Sequence, residues 1–443
     1  MSIAYCALHA PKLKTCATYH TILLSMCSDR MTSTNIAAFR QQFAIPDGVI
    51  YLDGNSLGVL PKATAAAVAK TIEQEWGNGL IRSWNTADWV NAPRRCGDKI
   101  ARLIGANAGE VIACDSTSVN LFKALLTALA LQQDQPQRNV IISDIDNFPT
   151  DLYIAQGIRD LLTQKNIDLQ FVKRDAMVST ITTLGERTVV VMLTQVDYRT
   201  GERYDMQAIT ALAQSNGALM LWDLAHSTCA FPVELNACNA DLAVGCSYKY
   251  VNGGPGAPAF IFAAKRHLDT LDAAGTSAPI SGWFAHEAPF AFDPLFRVVR
   301  GIERFTVGTP PILQFAALEA ALDIWLTVDM QALRAASVVL TERFIAEVES
   351  QCAGFDLTLA TPRNANIRGS QVSFRHAEGY AIMQALIARG VIGDFRAPDI
   401  LRFGFTPLYI TENDVVGAAS HLRDVMKLRE YERAEFRSRG KVT

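Results

Sequence analysis

The chain reads as an α/β protein: a mostly parallel sheet of the seven-stranded type covered by helices, followed by a smaller α+β part. Two observations carry this reading. Between residues 110 and 265, short β-rich apolar runs recur without polar alternation, the pattern of strands buried on both faces and therefore mostly parallel. Helical stretches separate those runs, as parallel crossovers require. The length of 443 residues, 49% of them hydrophobic and 19% charged, exceeds one ordinary core and points to one large and one smaller domain.

In chain order, the expected strands are 140–142, 169–172, 189–193, 219–222, 242–244 and 259–262, each rich in Val, Ile, Leu or Phe. Segments 119–131, 150–165 and 205–216 read as the covering helices. After Pro310-Pro311 a helix is expected over 313–326 and another over 330–352, then shorter strands around 371–374 and 401–405. The domain boundaries follow: 1–30 a disordered extension, 31–75 an N-terminal segment packing with the small domain, 76–327 the large domain and 328–443 the small C-terminal domain.

Lys plus Arg number 41 against 44 Asp plus Glu, a formal charge of -3, so no basic surplus argues for nucleic acid or an anionic membrane. A small molecule is the expected partner. The nine cysteines are scattered, odd in number and lack a C-x-x-C pair, which argues against a disulfide framework or zinc knuckle and for a reducing cytoplasm. No apolar run is long enough for a membrane span. Residues 1–30 lack the apolar core and small-residue cleavage site of a signal peptide, and Met31 reads as a plausible true start.

In an open parallel sheet, ligands collect beyond the carboxyl ends of the strands. Asp223 closes the run Ala218-Leu219-Met220-Leu221-Trp222, and Lys249 follows in Cys246-Ser247-Tyr248-Lys249-Tyr250, ahead of the turn Gly253-Gly254-Pro255-Gly256. A strand-end carboxylate followed by Ser-x-Lys suits an aldehyde cofactor, which needs one amine for a Schiff base and one carboxylate for its ring nitrogen. It points to pyridoxal phosphate. The plainer alternative, Asp223 as a helix cap, loses weight because Lys249 lies downstream. His226 is either a neighbour of the ring or a packed core histidine; as half of a metal pair it lacks further ligands at suitable spacing, and no metal is expected.

Asp115-Ser116-Thr117-Ser118-Val119-Asn120 opens a helix, where hydroxyls and unpaired N–H groups bind phosphate well. Standing alone it is more simply an N-cap. Phe148-Pro149-Thr150-Asp151 follows a strand, so Phe148 can stack on a flat cofactor and Asp151 reach its edge; in isolation it is a turn into a helix. The glycine turn at 253–256 lacks the G-x-G-x-x-G context of a dinucleotide site.

Together these blocks resemble the kynureninase family of fold type I pyridoxal-phosphate enzymes (aspartate aminotransferase superfamily, class V). Further blocks carry the resemblance from Phe39 to Tyr409: Tyr51-Leu52-Asp53-Gly54-Asn55-Ser56-Leu57-Gly58, Glu75-Trp76-Gly77 to Ser83-Trp84-Asn85, Asp223-Leu224-Ala225-His226, Gly282-Trp283-Phe284-Ala285-His286, Thr309-Pro310-Pro311 and Arg402-Phe403 to Pro407-Leu408-Tyr409. The resemblance implies Lys249 as the Schiff-base lysine, Asp223 as the partner of the pyridinium nitrogen and His226 beside it. It implies Thr117, Ser118 and Tyr248 at the phosphate, Tyr248 also as a proton donor, Phe148 on the ring and Asp151 and Thr194 at its edge. Trp283 and Thr309 would reach the cofactor of a neighbouring subunit, which implies a homodimer with shared active sites. Arg402 would grip the substrate α-carboxylate, with Asn55, Trp84 and Gly308 also on the substrate.

The implied reaction is hydrolysis of L-kynurenine, and less well of 3-hydroxy-L-kynurenine, to anthranilate and L-alanine in the kynurenine pathway. Two other readings compete: another class V enzyme, such as a cysteine desulfurase or small aminotransferase, and a catalytically silent homologue. A desulfurase needs a mobile late cysteine, and past Cys246 there is only Cys352, at the end of a predicted helix. Lys249, Asp223 and Arg402 in one chain argue against a silent homologue.

Overall fold

The computed structural model describes residues 36–438 and 440. What was expected of residues 1–30 lies outside the described residues.

Seven strands form the central sheet: β1 (Val111–Ala113), β2 (Val140–Asp144), β3 (Asp168–Val172), β4 (Thr188–Thr194), β5 (Leu219–Asp223), β6 (Leu242–Gly245) and β7 (Phe260–Ala263). Their spatial order is β1-β7-β6-β5-β4-β2-β3. From β3 to β6 all pairings are parallel, whereas β7 runs antiparallel to both β6 and β1. The sheet is thus mixed with a parallel body. Four apolar residues read alike in either direction, so the reversal of β7 leaves no mark on its sequence.

Apolar side chains leave both faces of the sheet. Along β4, Val191 and Leu193 enter one hydrophobic core while Val190 and Met192 enter the other. The period of two sends alternate residues to opposite faces, and both faces are dry, which is why the strands carry unbroken apolar runs. Helices α1 (Ala92–Leu103) and α4 (Met206–Ser215) contribute Ile100 and Ile209 to the first core. Helices α2 (Thr117–Leu131) and α3 (Pro149–Leu161) contribute Leu125 and Ile158 to the second. The helix expected to reach residue 165 ends at Leu161, and a separate turn covers Thr163–Lys165.

Helix α5 (Ile312–Trp325) leads to α6 (Met330–Gln351), whose start is capped by Asp329 accepting from Gln331 N at 2.8 Å. Beyond it, β8 (Thr358–Leu359), β9 (Gln371–Arg375), β10 (Asp394–Arg396) and β11 (Ile400–Gly404) form an antiparallel sheet in the order β8-β9-β11-β10. Phe344 of α6 packs its ring on Phe403 and Phe405 at 4.9 and 5.3 Å. Strand β10 was not foreseen; its sequence, Asp394-Phe395-Arg396, is mostly charged. The N-terminal segment joins this part of the chain, since Ile50–Tyr51 pairs in parallel with Val391–Ile392. Gly58 then passes against the turn that carries Lys249, its N–H donating to Tyr248 O at 2.8 Å. A Cβ at Gly58 would lie 2.3 Å from Lys249 O, so only glycine fits.

Candidate active site

The parallel strands deliver their carboxyl ends to one edge of the sheet, and a cleft enclosing about 470 Å³ opens there. Thr117 and Ser118 enter it from the start of α2, Phe148 and Asp151 from the start of α3, Thr194 and Asp223 from the ends of β4 and β5, and His226, Tyr248 and Lys249 from the loops beyond. Nine residues singled out from sequence therefore meet in one cavity.

Its floor is acidic and dry. Asp223 accepts from Ala225 N at 2.8 Å. The Thr194 hydroxyl donates to Asn147 Oδ1 and lies 3.3 Å from Asp151 Oδ2 and 3.4 Å from Asp223 Oδ2. Burial, together with the neighbouring Asp223, pushes the Asp151 carboxyl well above the usual range. Burial raises Asp223 as well, against the pull of Lys249. Two buried carboxyl groups this close cannot both ionise at low cost, so Asp151 holds the proton and Asp223 the charge.

Above it, Lys249 Nζ lies 2.9 Å from His226 Nε2. Burial, with the positive charges of Lys249, Arg402 and Arg396, drives the His226 pKa far down. A neutral imidazole at that distance accepts from the lysine and aims it into the cleft. Lys249 Nζ is also 5.9 Å from the Phe148 ring centroid and 5.9 Å from that of Tyr248. Phe148 is turned edge-on to Tyr198 at 5.3 Å, leaving it 43% exposed with a face toward the cavity. Burial pushes the Tyr248 phenol upward, so it remains a proton donor at neutral pH.

The first turn of α2 could hold an anion. Ser116 caps the helix, accepting from Val119 N at 3.4 Å, which leaves the Thr117 and Ser118 side chains facing the cleft. The preceding loop is held by Lys123, fully buried, whose Nζ donates to Asp115 Oδ2 at 2.7 Å and to Phe305 O at a shorter distance. Asp115 has φ +49°, a strained backbone that this ion pair holds in place. Sequence reasoning named the hydroxyls and missed the lysine behind them.

Arg402 does not stand free. It is 1% exposed; Nε donates to Asp394 Oδ1 at 2.7 Å, Nη1 to Tyr198 O at 2.6 Å, and Nη2 to Ser56 Oγ at 2.8 Å and to Asp394 Oδ2. A second guanidinium, Arg396, reaches the same Asp394 Oδ2 at 2.7 Å. These two arginines hold Asp394 ionised, below the usual range even though burial opposes it. Asp53, beside them, goes the other way: burial and the Asp394 charge push it up to about 7. Asp53, Asp394, Arg396 and Tyr198 escaped the sequence reading. The available signal was the Asp-x-Arg alternation of β10, which places both charged residues on one face of a strand beside Arg402.

Other predicted residues lie elsewhere. Asn55 is fully buried, neither side-chain amide atom has a hydrogen-bond partner among the described residues, and Gly404 passes so close that a Cβ there would lie 2.0 Å from Asn55 Oδ1. Gly308 and Thr309 line a second cleft of about 590 Å³ with Phe284, Cys114 and Pro311. Trp283 packs on Phe284 at 5.1 Å, and Trp84 approaches the same ring at 6.5 Å. None of these five residues borders the Lys249 cleft of its own chain.

Residues 333–422 match the model of the kynureninase C-terminal domain. The chain is 52% identical over 409 residues to the kynureninase of Burkholderia pseudomallei (strain K96243), covering 92% of this chain and 96% of the relative. The chain belongs to the kynureninase family. The kynureninase of Pseudomonas fluorescens is 49% identical over 410 residues, 92% of this chain and 97% of its own. Among solved structures, the fold of this family member is shared with the apo cysteine desulfurase from Thermococcus onnurineus NA1, with a TM-score of 0.74 at 18% identity, covering 90% of this chain and all of that one. It is shared too with C-DES carrying glycine covalently linked to the PLP cofactor, with a TM-score of 0.71 at 18% identity over 87% of this chain and 99% of that one. Among the described residues, no helix is long and apolar enough to cross a membrane.

Proposed function

We propose that this chain is a pyridoxal-phosphate-dependent kynureninase that hydrolyses L-kynurenine to anthranilate and L-alanine. The observation that carries the reading is one cleft in which a lysine amine, a buried carboxylate pair and a helix start with two hydroxyls converge, in a chain about half identical to named kynureninases. The cleft fits the cofactor by its own chemistry. Asp223, buried and, among the described residues, in no ion pair, suits a protonated ring nitrogen; Thr117 and Ser118 at the start of α2 suit the phosphate; Phe148 suits a flat ring; Lys249 suits the aldehyde. When bound, the group supplies an electron sink for the carbon that carries the substrate's amino group.

The remaining work falls to side chains. Asp223 keeps its charge because Asp151 holds the proton, and that charge stabilises a cationic ring nitrogen. Neutral His226 orients Lys249 Nζ, which in this reading takes the proton from the substrate α-carbon once the substrate amine has displaced it. Water adds to the side-chain ketone, the Cβ–Cγ bond breaks to release anthranilate, and Cβ, which keeps the bonding pair, takes up a proton to leave alanine. Tyr248, kept protonated by burial, serves as the proton donor within reach of the same space. Arg402, which donates to the backbone carbonyl of the cleft residue Tyr198, binds the substrate carboxylate in this reading, a task suited to the guanidinium fork. Trp283, Thr309, Gly308 and Trp84 are proposed to act on the active site of a second subunit, which makes the working enzyme a homodimer.

A desulfurase reading gains nothing from the cleft. Its lining holds no cysteine, and Cys352 is 4% exposed at the end of α6, its thiol pushed up to about 11 by burial. The deciding experiment incubates the purified holoenzyme with L-kynurenine and follows anthranilate fluorescence. Absence of anthranilate, with sulfide released from L-cysteine instead, would overturn the proposal.

A further inference from the structure

The Thr194 hydroxyl has one hydrogen and three acceptors around it. Asn147 Oδ1 is much the nearest, while Asp151 Oδ2 at 3.3 Å and Asp223 Oδ2 at 3.4 Å stand at the limit of a hydrogen bond. The Asn147 amide cannot be turned round. Its oxygen also accepts from Phe148 N at 2.7 Å, and its Nδ2 donates to Ser143 Oγ at 3.2 Å. Ser143 in turn spends its own hydrogen on Met192 O, a pure acceptor, at 2.7 Å. Donor directions are therefore fixed from the Met192 carbonyl through Ser143 and Asn147 to Thr194. Ser143 is fully buried and Asn147 and Thr194 nearly so, which keeps bulk water from competing for these bonds.

We propose that Asn147 is a positioning residue: by taking the Thr194 hydrogen it turns that oxygen's lone pairs toward Asp151 and Asp223, and so pins one proton on Asp151. This deepens the kynureninase reading and rests on it. An oxygen that presents lone pairs to two carboxylates is repelled by both, and one protonated carboxyl removes the conflict. The proton settles on Asp151 because Asp223 accepts from Ala225 N at 2.8 Å, a bond that favours its charged form. Burial and the Asp223 charge push Asp151 the same way. Of the other titratable groups lining the cleft, Lys249 pulls against this; neutral His226 and the protonated phenols of Tyr198 and Tyr248 add no charge. The charge thus stays on Asp223, the carboxylate assigned to the cofactor's ring nitrogen. Asn147 carries no proton chemistry of its own and acts only through Thr194.

The test reads the proton itself in the holoenzyme. The infrared carbonyl stretch of a protonated carboxyl stands apart from that of a carboxylate, and the band missing in Asp151→Asn belongs to Asp151. Its loss with rising pH gives a midpoint. Asn147→Ala frees the Thr194 hydroxyl to donate to the carboxyls, and the midpoint is expected to fall by about one pH unit, the worth of one hydrogen bond. Thr194→Val, in which valine matches threonine in shape, is expected to lower it too, and carries the test if Asn147→Ala does not fold. Adding Asn147→Ala to Thr194→Val changes nothing further. A midpoint that does not fall in Thr194→Val overturns the proposal, because the hydroxyl then donates to the carboxylates or leaves them alone. An unchanged midpoint in Asn147→Ala overturns it, as does a further shift in the double variant, which marks a structural role. Absence of an Asp151 band in the wild type has the same force. Wild-type holoenzyme that releases no anthranilate refutes the kynureninase reading instead and leaves the band readable, so the two failures are distinguishable.

Discussion

Removing Arg402 should cost folding stability before it costs anything else. The side chain is 1% exposed and Asp394 is 2% exposed, and they meet through two hydrogen bonds. In Arg402→Ala the Asp394 carboxylate keeps the Arg396 Nη2 contact at 2.7 Å and the Ser56 hydroxyl at 2.7 Å, while Tyr198 O loses its donor at 2.6 Å. Breaking a buried pair by removing one partner costs about 3–5 kcal/mol, and the orphaned carbonyl adds about 1 kcal/mol. Because Arg396 still neutralises part of the Asp394 charge, a net loss of about 3 kcal/mol is expected. Urea unfolding at fixed cofactor concentration gives the number from the midpoint and slope. Adding Asp394→Asn to Arg402→Ala should recover at least about 1 kcal/mol, since it removes the stranded charge. A loss below about 1 kcal/mol, or no recovery in the double variant, would refute the buried-frame reasoning. Arg396→Gln should cost less than Arg402→Ala, because Asp394 keeps its buried pair with Arg402 and the Arg396 side chain is 35% exposed.

Lys249→Ala is expected to abolish kynurenine turnover and the visible absorbance of bound cofactor; retained colour with normal anthranilate release would remove Lys249 from its role. Asp53, with its folded pKa raised from 3.8 to about 7, keeps a proton that the unfolded chain releases above about pH 4, so its contribution to stability falls between roughly pH 4 and 7 and is flat above. Asp53→Asn lacks this titration, so its stability relative to wild type should rise by a few kcal/mol between pH 4 and pH 8, at about 1.4 kcal/mol per pH unit; a pH-independent difference in urea midpoints would contradict it. Kynurenine should be preferred over 3-hydroxykynurenine, because a hydroxyl set against Trp84 and Gly308 lacks a partner, a cost of about 1–3 kcal/mol. Specificity constants for both compounds on one preparation decide this, and a clear preference for the hydroxylated substrate would overturn the reading of Trp84, Gly308 and Thr309.

Sequence alone determined the α/β class, most of the parallel strands and nine residues of the main cleft. The strand signals are local, since unbroken apolar runs mark doubly buried strands; Thr194 was named only through the family resemblance, and it shares an edge with Asp223 because strand ends converge where strands run parallel. Tertiary structure decided the direction of β7 and the existence of β10, where three or four residues carry too little pattern to read. It also decided the charge arrangement around Arg402. That cluster joins Asp53 and Ser56 to Asp394, Arg396 and Arg402 across more than 330 residues of chain, and no local spacing encodes such a meeting.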